Sequence, residues 1–170
     1  MANIVMPKTL YLHIGTHKTG STAIQQTLAN NRTLLLNNGY LYPESATIGY
    51  GHHQLPSAIS GEHSTKFAAR AEDNSLATLL DELNATPTPN IIISSENFCR
   101  LSANEIHKVK KTFASFHIEI IVYLRRQDLL LQSLWIQFTK LGRNTDSFQT
   151  WYKRAFDAKK YGVVQKSDFS

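Results

Sequence analysis

The sequence is short of most features that would place it in a specialised class. It holds one cysteine, Cys99, in 170 residues, so an internal disulfide is excluded. The simplest reading of Cys99 is a small buried hydrophobe. No apolar run approaches the roughly 18 residues of a membrane span, so no span is expected. The N-terminal stretch "MANIVMPKTLYLHIG" lacks a charged n-region followed by an apolar segment and a small-residue cleavage site, and a cytoplasmic location is the default expectation. No zinc-type spacing of Cys and His occurs. No basic patch interleaved with aromatics occurs either. The net charge of +5 therefore points to an anionic small ligand rather than to nucleic acid. The basic run His107 to Lys111, "HKVKK", reads as a solvated helix face.

What is present begins at "LYLHIGTHKTGSTAIQQTL", Leu10 to Leu28. Gly15 and Gly20 keep the G-x-x-x-x-G spacing of an ATP-type phosphate loop. However, Ser21 rather than lysine follows the second glycine, and the lysine lies inside the loop at Lys18. A turn from Gly15 to Gly20 would aim several backbone N–H groups at an anion, and the helix after it would add its positive end. Ser21 and Thr22 can cap that helix or donate hydroxyls.

The surrounding periodicities supply the context. Thr9 to Gly15, Asn90 to Glu96 and Ile118 to Arg126 read as buried strands, apolar on both faces. Helical spacing covers Ser21 to Asn37, Phe67 to Leu83, Ser102 to Phe113, Gln127 to Leu141 and Asp146 to Ala158. Ser102 followed by Glu105 is a capping box. Gly39 to Ser45 reads as a short extended piece, and Thr47 to Glu62 as an irregular loop of the kind that often carries function. The length suits one domain, 1–170. Alternating strands and helices predict an α/β class: a three-layer α/β/α sandwich with a central parallel sheet and a P-loop-like strand–loop–helix. Ligands of such sheets lie beyond the carboxyl ends of the strands. Gly15 to Thr22, Ser94 to Glu96 and Arg125-Arg126 all cluster there. None of these strands ends in the Asp that usually helps hold Mg²⁺ in triphosphate enzymes, which favours a metal-free reaction at a phosphate site.

"HIGTHKTGSTAIQ" resembles the 5′-phosphosulfate loop of the sulfotransferases that use 3′-phosphoadenosine-5′-phosphosulfate (PAPS). The family pattern is a lysine inside the loop and then Thr-Gly-Ser/Thr-Thr, matched by Lys18-Thr19-Gly20-Ser21-Thr22. Its second signature is an arginine at a strand end and a serine eight residues on, matched by Arg125 and Ser133 in "YLRRQDLLLQS". The resemblance covers roughly Thr9 to Leu141 and is nearest the bacterial sulfotransferase-like and carbohydrate-type members. It implies PAPS as donor, held by Gly15, Thr16, His17, Lys18, Thr19, Gly20, Ser21 and Thr22 at one end and by Arg125 and Ser133 at the 3′-phosphate. Arg126 is the alternative one position on, with Asp128 as its structural partner. The resemblance also implies in-line sulfuryl transfer to a hydroxyl or amine of a small-molecule or carbohydrate acceptor, with Lys18 stabilising the leaving phosphate oxygen.

A general base should take the acceptor's proton. The order of preference is Glu44 in "YPES", then His53 beside His52, then Glu96. His13 reads as a packed strand residue and His17 as a loop residue facing the acceptor. Family members are usually longer, and after Leu141 no counterpart of their C-terminal segment is found, so the chain is expected to be C-terminally incomplete. Two other readings stay open: a non-catalytic sulfotransferase-like nucleotide-binding module, and a P-loop kinase or nucleotide hydrolase.

Overall fold

The computed structural model describes residues 7–61 and 74–157, with side chains through residue 154. Four strands form one parallel sheet: β1 (Thr9–His13), β2 (Tyr40–Leu41), β3 (Asn90–Ser94) and β4 (His117–Ile121), in the order β2-β3-β1-β4. Seven α-helices occur among the described residues. The chain divides after Leu124 into two compact units, Met1–Leu124 and Arg125–Ser170.

The first unit holds the sheet. Its β1 and β3 pair in register, Leu10 against Ile91 and Leu12 against Ile93. Side chains alternate across a strand, so these four share a face. They are buried there with Leu55 and Ile59 of α3 (Gln54–Ser60), Leu79 and Leu83 of α4 (Ser75–Ala85), Val109 of α5 (Ala103–Thr112), and Phe113. On the opposite face Tyr11 and Ile92 are only half-buried. Among the described residues the fully buried apolar side chains of β1 and β3 are therefore those on the α3–α5 face.

The connections explain where a ligand site belongs. From β1 the chain runs through α1 (Ser21–Asn30) and α2 (Arg32–Asn37) to β2, crossing over β3. From β3 it runs through α5 to β4 in the other direction, crossing over β1. Such crossovers are right-handed almost without exception, so opposite directions place α1 and α5 on opposite faces. The carboxyl ends of β1 and β3 thus flank a topological switch point, where open parallel sheets bind ligands.

Several elements depart from the pattern-based expectation. The helix expected over Ser21 to Asn37 breaks at Asn31, whose side-chain amide donates to the Thr27 carbonyl at 2.7 Å and competes with the helical ladder. Arg32, just past the break, reaches the carbonyls of Tyr42 at 3.1 Å and Pro43 at 3.2 Å. The irregular loop contains α3, with Pro56 in its first turn, where a missing N–H costs nothing. Of the helix expected from Phe67, the part before residue 74 lies outside the described residues, and α4 covers the remainder. The strand expected over Ile118 to Arg126 ends at Ile121, and β4 is an exposed edge strand rather than a buried one. Ile120, Val122, Tyr123 and Leu124 are all exposed. The capping box forms as expected: the Ser102 N–H and Oγ both donate to Glu105 Oε2 at 2.6 Å.

The second unit comprises α6 (Gln127–Lys140) and α7 (Phe148–Asp157). Gly142 turns the chain with φ +66°. The Trp135 indole N–H donates to the Asp146 carbonyl at 3.0 Å, and Phe148 packs between Trp135 and Trp151 at ring distances of 5.8 and 6.3 Å.

A core truncation tests this packing. Ile93→Ala is expected to lower stability by roughly 2–5 kcal/mol. Leu34→Ala on the exposed side of α2 should change it by under about 0.5 kcal/mol. Urea denaturation of both variants checks the contrast.

Candidate functional site

The site forms where the Gly15–Gly20 turn meets the end of β3. After β1 the chain continues alongside the extension of β4: Ile14 N–H donates to the Ile121 carbonyl at 3.0 Å, Tyr123 N–H to Gly15 at 2.8 Å, and Thr16 N–H to Tyr123 at 3.2 Å. Thr16 therefore directs its N–H at a protein carbonyl. The Thr19 hydroxyl donates to the Thr16 carbonyl at 2.6 Å and closes the turn on itself. Lys18 has φ +65° and is half-buried. Gly20, with φ +88°, is the N-cap of α1, and no side chain caps that helix and no acid occupies its first turn. Ser21 is buried and Thr22 exposed at its start. Backbone N–H groups at an uncapped helix N-terminus are an anion-favouring environment.

Gly15 is where the turn and the strand end touch. It has φ +94°, and a Cβ placed there would lie 2.8 Å from both Cα and Cβ of Glu96. Only glycine permits that approach. Glu96 opens the 3-10 helix Glu96–Arg100, capped by Ser95, whose Oγ accepts from the Asn97 N–H at 3.3 Å. The 3-10 helix also carries Cys99; burial pushes its thiol up while the His17 backbone opposes the shift. Cys99 is exposed, not buried as its type suggests.

Two polar side chains lie against Glu96. The Gln25 amide of α1 donates to Glu96 Oε2 at 2.9 Å. His53 Nδ1 lies 4.0 Å from the same oxygen and 2.9 Å from Ser95 Oγ. His17 and His13 interact with Glu96 electrostatically. Burial alone would push the Glu96 carboxyl up, but the Gln25 hydrogen bond, the backbone, His53 and His17 together hold it below its ordinary range. Burial lowers both His13 and His17, with Glu96 opposing the shift in each. An ionised carboxylate thus sits among imidazoles, two of which favour the neutral form. Among the described residues no three His, Cys, Asp or Glu side chains are grouped to hold a metal ion.

Below this cluster lies a buried polar layer. His13 is buried, as expected of a packed strand residue. Its Nδ1 is 2.7 Å from Ser94 Oγ, and its Nε2 has no hydrogen-bond partner among the described residues. His52 is fully buried; Nδ1 accepts from the Ser94 N–H at 3.2 Å, so Nε2 carries the proton and donates to the Pro43 carbonyl at 3.2 Å. Burial pushes His52 down to about 4. The two adjacent histidines therefore separate: His52 is structural and His53 reaches the site.

Glu44 lies elsewhere in its contacts. Its side chain is 82% exposed and 4.0 Å from the Arg32 guanidinium, while its backbone N–H donates to Glu82 at 3.1 Å. The structure thus groups Glu44 with α2 and α4, and groups His53 and Glu96 with each other. In the second unit, Arg125 is exposed just before α6 and Ser133 is half-buried on it. Arg126 is held by Asp128 at 2.8 Å, the structural partner expected of it. The residue that pattern reading overlooked is Gln25. Its one visible signal is a polar side chain on the face of α1 that the Ser21-to-Gln25 spacing turns inward.

A 64-residue stretch of the chain is 42% identical to an uncharacterized protein of Archaeoglobus fulgidus; it makes up 36% of this chain and 18% of that protein. The match therefore spans less than a fifth of that relative's length. No family model matches the chain, and no solved structure does.

Two expectations follow from this geometry. Gly15→Ala should destabilise the fold by roughly 1–3 kcal/mol, through the positive φ and the clash with Glu96; thermal or urea unfolding measures it. For His52 the folded state binds its proton more weakly than the unfolded state. Its contribution is complete above about pH 6.5 and is lost as pH falls toward 4, by on the order of 3 kcal/mol. His52→Gln keeps one acceptor and one donor without titrating. Urea unfolding between pH 7 and 4 should show a shallower acid loss in that variant than in the wild type.

Proposed function

We propose that this chain is a PAPS-dependent sulfotransferase that passes a sulfuryl group to a hydroxyl or amine of a small-molecule or carbohydrate acceptor, without a metal. The observation that carries the reading is the β1–turn–α1 unit at the switch point. It combines an internal lysine, Lys18, with the uncapped, acid-free start of α1 at Ser21 and Thr22. These groups suit the sulfated 5′-phosphate, and Lys18 is the cation that would neutralise charge developing on the leaving phosphate oxygen. Resemblance gives Arg125 and Ser133 to the cofactor's 3′-phosphate, and Arg provides the forked geometry that a phosphate accepts. The position of the lysine and the absence of an Asp among the residues ending β1 and β3 count against a magnesium-dependent kinase or nucleotide hydrolase.

The test is a thermal-shift titration with 3′-phosphoadenosine-5′-phosphate (PAP) against ATP plus Mg²⁺. A ligand that binds only the native state raises its apparent stability. Stabilisation by PAP alone supports the sulfotransferase. Stabilisation by ATP with Mg²⁺ alone transfers the assignment to a kinase or hydrolase, and no shift with either favours a fold that no longer binds nucleotide. Lys18→Ala should lower turnover of PAPS by about 10²-fold or more, and unchanged turnover removes lysine from the mechanism.

A further inference from the structure

We propose that Glu96, paired with His53, takes the acceptor's proton, and that Gln25 is the positioning residue that holds Glu96 in place for it. This rests on the sulfuryl-transfer reading above.

The geometry favours Glu96 over the more obvious carboxylate. Glu96 packs against Gly15, the first residue of the turn that would face the donor. Its side chain is 20% exposed and that of His53 is 19%, so both are reachable yet partly shielded from water. Glu44, at 82% exposure beside Arg32, has neither property. In the transfer, a bond forms between the acceptor oxygen or nitrogen and sulfur. The bond from sulfur to the 5′-phosphate oxygen breaks, and its electron pair stays on that oxygen beside Lys18. The acceptor's proton goes to the Glu96 carboxylate. The attacking group grows acidic as its bond to sulfur forms, so a carboxylate of modest basicity is adequate.

Gln25 is the part of this arrangement with no other evident purpose. It is a polar side chain buried on α1, five residues past the Gly20 cap, and its amide donates to Glu96 Oε2 at 2.9 Å. The amide is wedged in place from behind. A Cβ at Gly51 would lie 2.8 Å from the Gln25 amide carbon, 2.9 Å from its nitrogen and 2.8 Å from His53 Nε2. Ser95 fixes the other ring nitrogen of His53 at 2.9 Å. Gln25 belongs to the helix whose N-terminus would face the donor, so that helix carries both the anion end and the clamp on the base. The other titratable groups acting on Glu96 or its neighbours are His17 in the turn, His13 on β1, Tyr42 after β2, and Cys99 and Arg100 of the 3-10 helix. None of them donates a hydrogen bond to the Glu96 carboxylate at the distance Gln25 does.

The experiment follows the Glu96 carboxyl directly by ¹³C NMR titration in the wild type, Gln25→Leu and the isosteric Gln25→Glu. Loss of the donor should move the Glu96 midpoint to higher pH in Gln25→Leu, and a second carboxylate should move it further in Gln25→Glu. Coincident midpoints in all three overturn the positioning role. PAP release from PAPS, with water and with glucosamine as acceptor probes, is measured in parallel. Glu96→Gln should reduce it about 10²- to 10⁴-fold while PAP still stabilises the variant against heat. Equal release in wild type and Glu96→Gln overturns the base assignment. Failure of PAP to stabilise the wild type sinks the sulfuryl-transfer reading instead, and the NMR arm still decides whether Gln25 controls Glu96.

Discussion

The parallel pairing of β1 with β3 is the constraint on which the rest depends. It aligns His13 with Ser94, so that the residues following each strand emerge at the same level. The two chains then leave in opposite directions, and the gap between them opens the switch point. Gly15 and Glu96 face each other across that gap at a separation only a glycine allows. A side chain at position 15, or a register shift of one residue, would separate the turn from the carboxylate. A shift would also turn Leu10 and Leu12 away from the core.

The strand ends are polar because they hold the site from beneath. Ser94 is buried and serves two histidines, His13 through its hydroxyl and His52 through its backbone N–H. Ser95 serves His53 and caps the 3-10 helix. Buried polar groups are costly unless hydrogen-bonded, and nearly all of these are. The exception among the described residues is His13 Nε2, at the end of the strand that leads into the turn. Burial in this layer favours neutral His52, while the next residue, His53, lies 4.0 Å from Glu96.

The α/β class was legible because its signals are local. "TLYLHIG" and "NIIISSE" carry short apolar runs that end in glycine or polar residues, and both are strands, at Thr9–His13 and Asn90–Ser94. The Ser102–Glu105 box marked the start of α5 because capping needs only residues three apart. Edge position is different. "IEIIVYLRR" is as apolar as a buried strand, yet among the described residues β4 pairs on one side only, with β1, and is exposed. The break at Asn31 likewise depends on a side chain preferring the Thr27 carbonyl and on Arg32 finding carbonyls ten and eleven residues away.

By itself, the sequence determined the α/β class, the strands at Thr9–His13 and Asn90–Ser94, and the turn with its internal lysine. These follow from periodicity, glycine spacing and caps, all of which act within a few residues. Tertiary structure alone decided which carboxylate belongs with which imidazole. Glu44 and Glu96 carry the same chemistry and each follows a strand. Only the packing of α1 against Glu96, with Gly51 behind Gln25 and His53, and the pairing of Glu44 with Arg32 at the surface separate them. The physical reason is distance along the chain: the contact between Gln25 and Glu96 spans 71 residues. No local propensity encodes a contact of that range. It exists because two crossovers of opposite direction fold their helices back onto a common gap.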